Sequence, residues 1–277
     1  MRSRRPATEA RRAGALLVCA ALLAAGCSIA RQPGPVARQV LPNVPVSAAP
    51  RSGSSHDAPV GASAQGGADH ATTHRRFADV EHWKRVFDDP GRDAWQKPRE
   101  VVSRLSLHPG DAVADVGAGT GYFLPALSRA VGPSGTVFAV EVEPALTEYL
   151  RDRSDREGLA NVVPVLASYD NPRLPRRSLD AALIVDTYHH IDARRTYFRR
   201  FAELLKPGGR VAVVDWKQGD LPVGPPPRHR VPAEQVIGEM QAAGYHLTQR
   251  PEILPYQYFL IFEPAGRAHR PRALRHR

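Results

Sequence analysis

Cysteine is almost missing from this chain of 277 residues: there are two, Cys19 and Cys27, both near the start. The rest can hold no disulfide, no thiolate nucleophile and no cysteine-based metal site. Lysine is nearly as scarce, with Lys84, Lys97, Lys206 and Lys217 standing against a total of 38 basic residues. Aromatic side chains make up 7% of the chain and none falls between residues 28 and 74. The apolar run from Ala13 to Ala25 is too short to span a bilayer. The body also lacks a net charge. The formal charge of +10 sits at the ends, with five arginines against Glu9 in residues 1–12 and five arginines without an acid in residues 267–277, whereas residues 75–266 hold 25 basic and 25 acidic side chains. Sequence-independent affinity for nucleic acid comes from neutralised phosphates, so a neutral body excludes nucleic acid as the expected partner. What is present, 42% hydrophobic and 24% charged residues, suits one globular domain with additional sequence.

The front reads as an export signal over residues 1–27: a basic stretch to Arg12, the apolar run, then Gly26-Cys27. Leu23-Ala24-Ala25-Gly26-Cys27 resembles the bacterial lipoprotein box, which implies acylation of Cys27 and a membrane-anchored lipoprotein on the periplasmic or cell-surface side. The box departs from the usual form in carrying Ala24 where leucine is common. If the start codon lies further downstream, the expectation becomes a cytoplasmic protein. Residues 28–74 contain six prolines, five glycines and six serines, too little apolar area to offset chain entropy. They are expected to form a disordered tether with an end-to-end distance of roughly 35 to 40 Å.

From Phe77 onward short β-branched runs alternate with helical stretches, the pattern of a parallel sheet covered by helices. Strands are expected near Ala112–Val116, Thr136–Val140, Val162–Leu166, Ala181–Val185 and Arg210–Asp215, the fifth after a turn at Lys206-Pro207-Gly208-Gly209. Two further segments, about His246–Pro251 and Tyr258–Phe262, are close enough to pair antiparallel. Arg194, Arg195, Arg199 and Arg200 recur at helical spacing and are expected to form a solvated face.

The first strand runs into Asp115-Val116-Gly117-Ala118-Gly119-Thr120-Gly121 and directly into a helix. Alternate glycines let the backbone pass close beneath a ligand, and the helix behind presents unpaired amides. Twenty residues after Gly121, Glu141 ends the second strand; a carboxylate there can accept hydrogen bonds from both hydroxyls of a ribose. Dinucleotide binding asks for G-x-G-x-x-G, and Tyr122 stands where its third glycine should fall. The string DVGAGTG with its downstream acid resembles motif I of the class I S-adenosylmethionine-dependent methyltransferases. Val137–Glu141 resembles the ribose-binding strand, Leu174-Pro175 with Ser178-Leu179-Asp180 the approach to strand four, and Leu204–Gly209 the turn before strand five. The resemblance covers roughly residues 77–265 of a domain expected over residues 75–266, and implies a Rossmann-like, doubly wound seven-stranded α/β sheet with a C-terminal antiparallel hairpin and helices on both faces. It implies S-adenosyl-L-methionine as cofactor, held by Asp115, Gly117, Ala118, Gly119, Gly121 and Glu141. Ser168 and Asp170 stand where the family places an acid against adenine; Asp170 equally suits the start of a turn with Asn171-Pro172.

Ligands of such sheets bind beyond the carboxyl ends of the strands. Asp186, His189 and His190 follow strand four there and are candidate catalytic residues, because a methyl on a sulfonium is already activated and the protein need only align the acceptor and remove a proton. Either histidine could instead satisfy backbone groups, and adjacent side chains are expected to point apart. His229 tips the proline-rich loop 219–230 and is the further candidate. No metal is expected, since the spacing of these side chains fits no defined site. Asp88, Asp89 and Asp93 with Trp95 suit a surface helix end or a flap over the cofactor. The resulting expectation is methyl transfer to a small-molecule acceptor through an O, N or C nucleophile; the alternative is a ligand-binding lipoprotein that retains the fold without catalysis.

Overall fold

The computed structural model describes residues 79–265. The readings placed on residues 1–78, Cys27 and the tether included, and on the basic tail lie outside the described residues. A seven-stranded sheet has the order β3-β2-β1-β4-β5-β7-β6, where β1 is Ala112–Val116, β2 Thr136–Glu141, β3 Val162–Leu166, β4 Leu179–Val185, β5 Leu205–Trp216, β6 Tyr245–Gln249 and β7 Gln257–Pro264. The first five strands run parallel, and β7 is antiparallel to both β5 and β6. The chain order therefore reverses between β1 and β4, which opens the crevice for ligands at their carboxyl ends.

Three short helices, α1 (Val80–Phe87), α2 (Asp93–Gln96) and α3 (Pro98–Ser103), precede the sheet. Helices α4 (Leu124–Val131), α5 (Pro144–Arg156), α6 (Arg194–Phe201) and α7 (Ala233–Ala242) follow within it. Alternate side chains of each central strand feed opposite faces. Ala114, Val116, Val211 and Val213 pack with Phe198, Phe201, Val236 and Met240 of α6 and α7, and Val113, Ala212 and Val214 pack with Val101, Leu124, Leu127 and Leu150 on the other side. Both faces being covered, Leu179, Ala181, Ala182, Leu183 and Ile184 of β4 are fully buried, which is why residues 181–185 read as a continuous apolar run.

Two expectations are corrected. Lys206-Pro207-Gly208-Gly209 does not stand apart as a turn: β5 begins at Leu205, pairs it with Leu179, and shifts register before Ala181 pairs with Arg210. Asp180 explains the pinning, since its Oδ2 accepts from Ala112 N–H at 2.8 Å and from Lys206 Nζ, fastening the starts of β1 and β5 together. Arg194 is not on a solvated face. It is fully buried, and its Nε and Nη2 donate to Glu239 of α7 at 2.7 and 2.9 Å. A charge so removed from water persists because it is paired and hydrogen-bonded.

Candidate functional site

The glycine turn sits at the carboxyl end of β1. Gly117, Gly119 and Gly121 have φ of +75°, +57° and +91°, the left-handed region that side chains with a Cβ rarely adopt. Space adds a second reason at Gly117, where a Cβ would lie 2.3 Å from Thr187 Oγ1. That close approach joins the glycine turn to the segment after β4. Gly117 and Ala118 N–H both donate to Val140 O, at 2.9 and 3.0 Å, tying the turn to β2.

Glu141, at the tip of β2, is 5% exposed. Its Oε2 accepts from Gly119 N–H at 2.9 Å, and its Oε1 accepts from Val142 and Glu143 N–H at 2.7 and 3.1 Å. Burial pushes this carboxyl up, against the three amides that favour its charged form. Asp115, behind it in β1, is pushed up to about 7 by burial first and by Glu141 second. Of roughly four lone-pair sites on the Glu141 carboxylate, three are spent on the backbone. One site is left for a further donor, so the carboxylate serves the turn first.

Ser168 and Asp170 follow β3 in a tight turn. Ser168 and Asn171 exchange backbone hydrogen bonds at 3.0 and 3.1 Å, and Ser168 Oγ donates to Asp170 Oδ1 at 2.9 Å. Asp170 also lines a cavity of about 420 Å³ with Leu174, Tyr197 and Arg200, beside α6.

Asp186 takes a left-handed backbone, φ +52°, just past β4. Its Oδ1 accepts from Gln257 Nε2, its Oδ2 accepts from Gln96 Nε2 at 3.0 Å, and Arg92 Nη2 stands 4.0 Å from Oδ2. Burial, and then the neighbouring Asp215, push its carboxyl up to about 6, against Arg92. His189 is 3% exposed and its Nδ1 lies 3.0 Å from each oxygen of the fully buried Asp215 at the end of β5. Asp215 also accepts from Trp216 N–H at 2.8 Å and His189 N–H at 3.3 Å. Burial opposes a charge on the ring, but Asp215 outweighs it and holds His189 above the usual histidine range. The expectation that His189 and His190 point apart is corrected: a 3₁₀ turn over Tyr188–His190 sets their rings 4.2 Å apart. His229 lies on the loop after β5, which Arg230 fastens through Pro225 O at 2.7 Å and Gly219 O at 2.7 Å. Among the described residues no three His, Cys, Asp or Glu side chains are grouped to hold a metal ion.

Sequence reasoning missed Asp215 and Arg92. It left Asp88, Asp89 and Asp93 with Trp95-Gln96-Lys97 between a surface helix end and a flap, and read Tyr256-Gln257-Tyr258-Phe259 as a core strand. In the structure the segment 80–103 lies on the carboxyl edge. The ring of Phe87 is 3.5 Å from where a Cβ of Gly119 would be, Arg92 lies over the Tyr122 ring at 4.3 Å, and Trp95 packs on Trp216 at 5.5 Å between ring centres. Tyr122 OH donates to Asp93 Oδ1.

Residues 113–209 match the methyltransferase domain family. Over 116 residues the chain is 34% identical to protein-L-isoaspartate O-methyltransferase of Aeropyrum pernix, covering 41% of this chain and 42% of that protein. Over 133 residues it is 31% identical to aklanonic acid methyltransferase DauC of Streptomyces sp. strain C5, covering 46% and 59%. The chain thus spans about two fifths to three fifths of these curated relatives. The crystal structure of a SAM-dependent methyltransferase from Aquifex aeolicus superimposes with a TM-score of 0.63 at 28% identity, over 66% of this chain and 97% of that one. The fold is that of the Rossmann-like methyltransferases, and these likenesses imply S-adenosyl-L-methionine as the cofactor. The residues present fit it: three left-handed glycines at the strand end and a buried carboxylate at the next strand tip.

Proposed function

We propose that this chain transfers a methyl group from S-adenosyl-L-methionine to a small-molecule acceptor through an oxygen, nitrogen or carbon nucleophile. The domain match and the relatives support methyltransferase activity. The observation that carries the reading is the buried Asp215–His189 pair beside Asp186, on the segment that touches the glycine turn through Thr187 and Gly117.

When bound, the cofactor supplies a methyl already activated on a sulfonium. The turn at Gly117–Gly121 and Glu141 would hold it. Asp215, accepting from His189 Nδ1–H, sets the tautomer that leaves Nε2 as the basic nitrogen of the neutral ring. His189 then takes a proton from a hydroxyl or amine acceptor as it attacks. Asp186, poised near pH 6, orients the acceptor and shares its proton. The segment 80–103 keeps bulk water from the reacting groups.

Calorimetry of the full chain with S-adenosyl-L-methionine and with S-adenosyl-L-homocysteine tests this. Heat with both, followed by transfer of a labelled methyl to an acceptor panel, is expected; no heat with either overturns the reading. Membrane anchoring through an acylated Cys27 is part of the proposal. Labelled palmitate should enter the wild-type chain and not Cys27→Ala; equal labelling of both would remove the anchor.

A further inference from the structure

The turn that carries His189, Tyr188–His190, is three residues long. Its backbone bonds run from His190 N–H to Thr187 O at 2.9 Å and from Ile191 N–H to Tyr188 O at 3.2 Å, and a 3₁₀ turn of this length gains little from such bonds. Asp215 holds it on one side, through the His189 ring and N–H. On the other side it is fastened to α7. Glu239 Oε2 accepts from Tyr188 OH and from Arg194 Nε, each at 2.7 Å, while Oε1 accepts from Arg194 Nη2 at 2.9 Å and from Gln235 Nε2 at 2.8 Å. Four donors fill the roughly four lone-pair sites of a carboxylate. Arg194 Nη1 donates in turn to Ile191 O at 3.4 Å. One carboxylate thus reaches the residue on each side of the pair His189 and His190.

Tyr188, Arg194 and Glu239 are all buried. Taking two charges out of water costs about what their attraction returns, and apolar side chains of similar volume at such a place are often neutral or stabilising. A phenylalanine in place of Tyr188 would keep the stacking on the Phe198 ring, 5.3 Å between centres. Stability therefore gives no reason for the polar atoms. What they add is direction, because a buried network with every member paired specifies one arrangement.

We infer that Glu239 is a positioning residue for methyl transfer, setting the turn through Tyr188 and Arg194 so that the His189 ring meets Asp215. The role rests on the methyl-transfer reading, though its test does not measure transfer. Of the charged side chains around that ring, Asp215 of β5 and Asp186 after β4 favour its charged form and Arg194 of α6 opposes it; the His190 ring lies beside it. Tyr188→Phe alters none of these charges. A change in the proton affinity of His189 in that variant therefore reports how closely the ring is held to Asp215.

The test is an NMR titration of the full chain with isotope-labelled histidine rings, the His189 signal being assigned by its loss in His189→Gln. Wild type is compared with Tyr188→Phe and with the double variant Arg194→Met, Glu239→Leu, which removes one charge of each sign and fills the space with apolar atoms. The proton affinity of the ring is expected to fall at least about threefold in Tyr188→Phe and about tenfold in the double variant, midpoints lower by about half a pH unit and one unit, while both thermal midpoints stay close to that of wild type. An unchanged His189 midpoint in either variant overturns the inference. So does a shift seen only in a chain that has lost its cooperative thermal transition, which would make the network structural and nothing more. Failure of S-adenosyl-L-homocysteine to bind wild type, read separately by calorimetry, counts against the methyl-transfer reading alone.

Discussion

Thr120, inside the glycine turn, donates its hydroxyl hydrogen to Asp88 Oδ1 at 2.7 Å, and Arg153 Nη1 reaches the same oxygen at 2.9 Å and Thr120 O at 2.8 Å. One carboxylate thereby fastens the end of α1 to the turn and to α5. Phe87, the residue before Asp88, lies beside Gly119, 3.5 Å from where a Cβ there would be.

Asp88→Ala should loosen the covering segment. The loss of a charge-assisted bond is about 1–3 kcal/mol, so amide exchange over residues 80–97 should accelerate about fivefold or more, while β4 and β5 stay protected. Exchange unchanged over 80–97 would show that the aromatic packing alone holds the segment.

Glu141→Ala should weaken S-adenosyl-L-methionine binding by about 1.5–3 kcal/mol and also lower the melting temperature, because three backbone amides lose their acceptor. Glu141→Gln keeps oxygen acceptance at one position and should fall between the two. Calorimetry and thermal denaturation on the same samples separate the ligand effect from the structural one. Affinity unchanged in Glu141→Ala would remove the residue from the cofactor site.

His189 is held above the ordinary histidine range, so the stability it contributes is complete below its unfolded pKa and is lost as pH rises through the folded value. Asp215→Asn removes the charge that raises it. The midpoint of the His189 ring resonance should then move to lower pH, and the pH dependence of stability near neutrality should flatten. A midpoint that stays in place would break the pairing.

Asp115 works in the same direction, over a lower pH range. An acid raised from 3.8 to about 7 binds its proton more tightly folded than unfolded, so its contribution falls as pH rises between those values. A shift of this size is worth about 4 kcal/mol at most. Asp115→Asn should remove that part of the slope in urea unfolding followed from pH 4 to pH 8; an unaltered slope would assign it elsewhere.

Breaking the Arg194–Glu239 pair should cost far more than its sequence neighbourhood implies. Glu239→Gln leaves a buried guanidinium without its counter-charge and removes an acceptor of Tyr188 OH at 2.7 Å, a loss of about 3–5 kcal/mol. Arg194→Met with Glu239→Leu should recover most of it in denaturant melts.

The glycine turn and Glu141 were legible because their signal is local: the turn is five consecutive residues, and the carboxylate closes the strand that parallel pairing sets beside it. Strand positions were legible for the same reason, since a strand covered on both faces has to be apolar throughout. The start of β5 was misread because Pro207-Gly208-Gly209 is ordinary turn chemistry, and only the pairing of Leu205 with Leu179 and the hold of Asp180 on Lys206 draw it into the sheet.

The amino-acid order by itself determined the alternation of strand and helix and the string that makes the glycine turn, both of which depend on residues a few positions apart. Tertiary structure alone decided which distant side chains meet. Asp215 meets His189 across 26 residues, Glu239 meets Arg194 across 45, and Gln257 meets Asp186 across 71. No periodicity spans such separations; they follow from a strand order that reverses at β1 and β4 and brings the final hairpin back against β5.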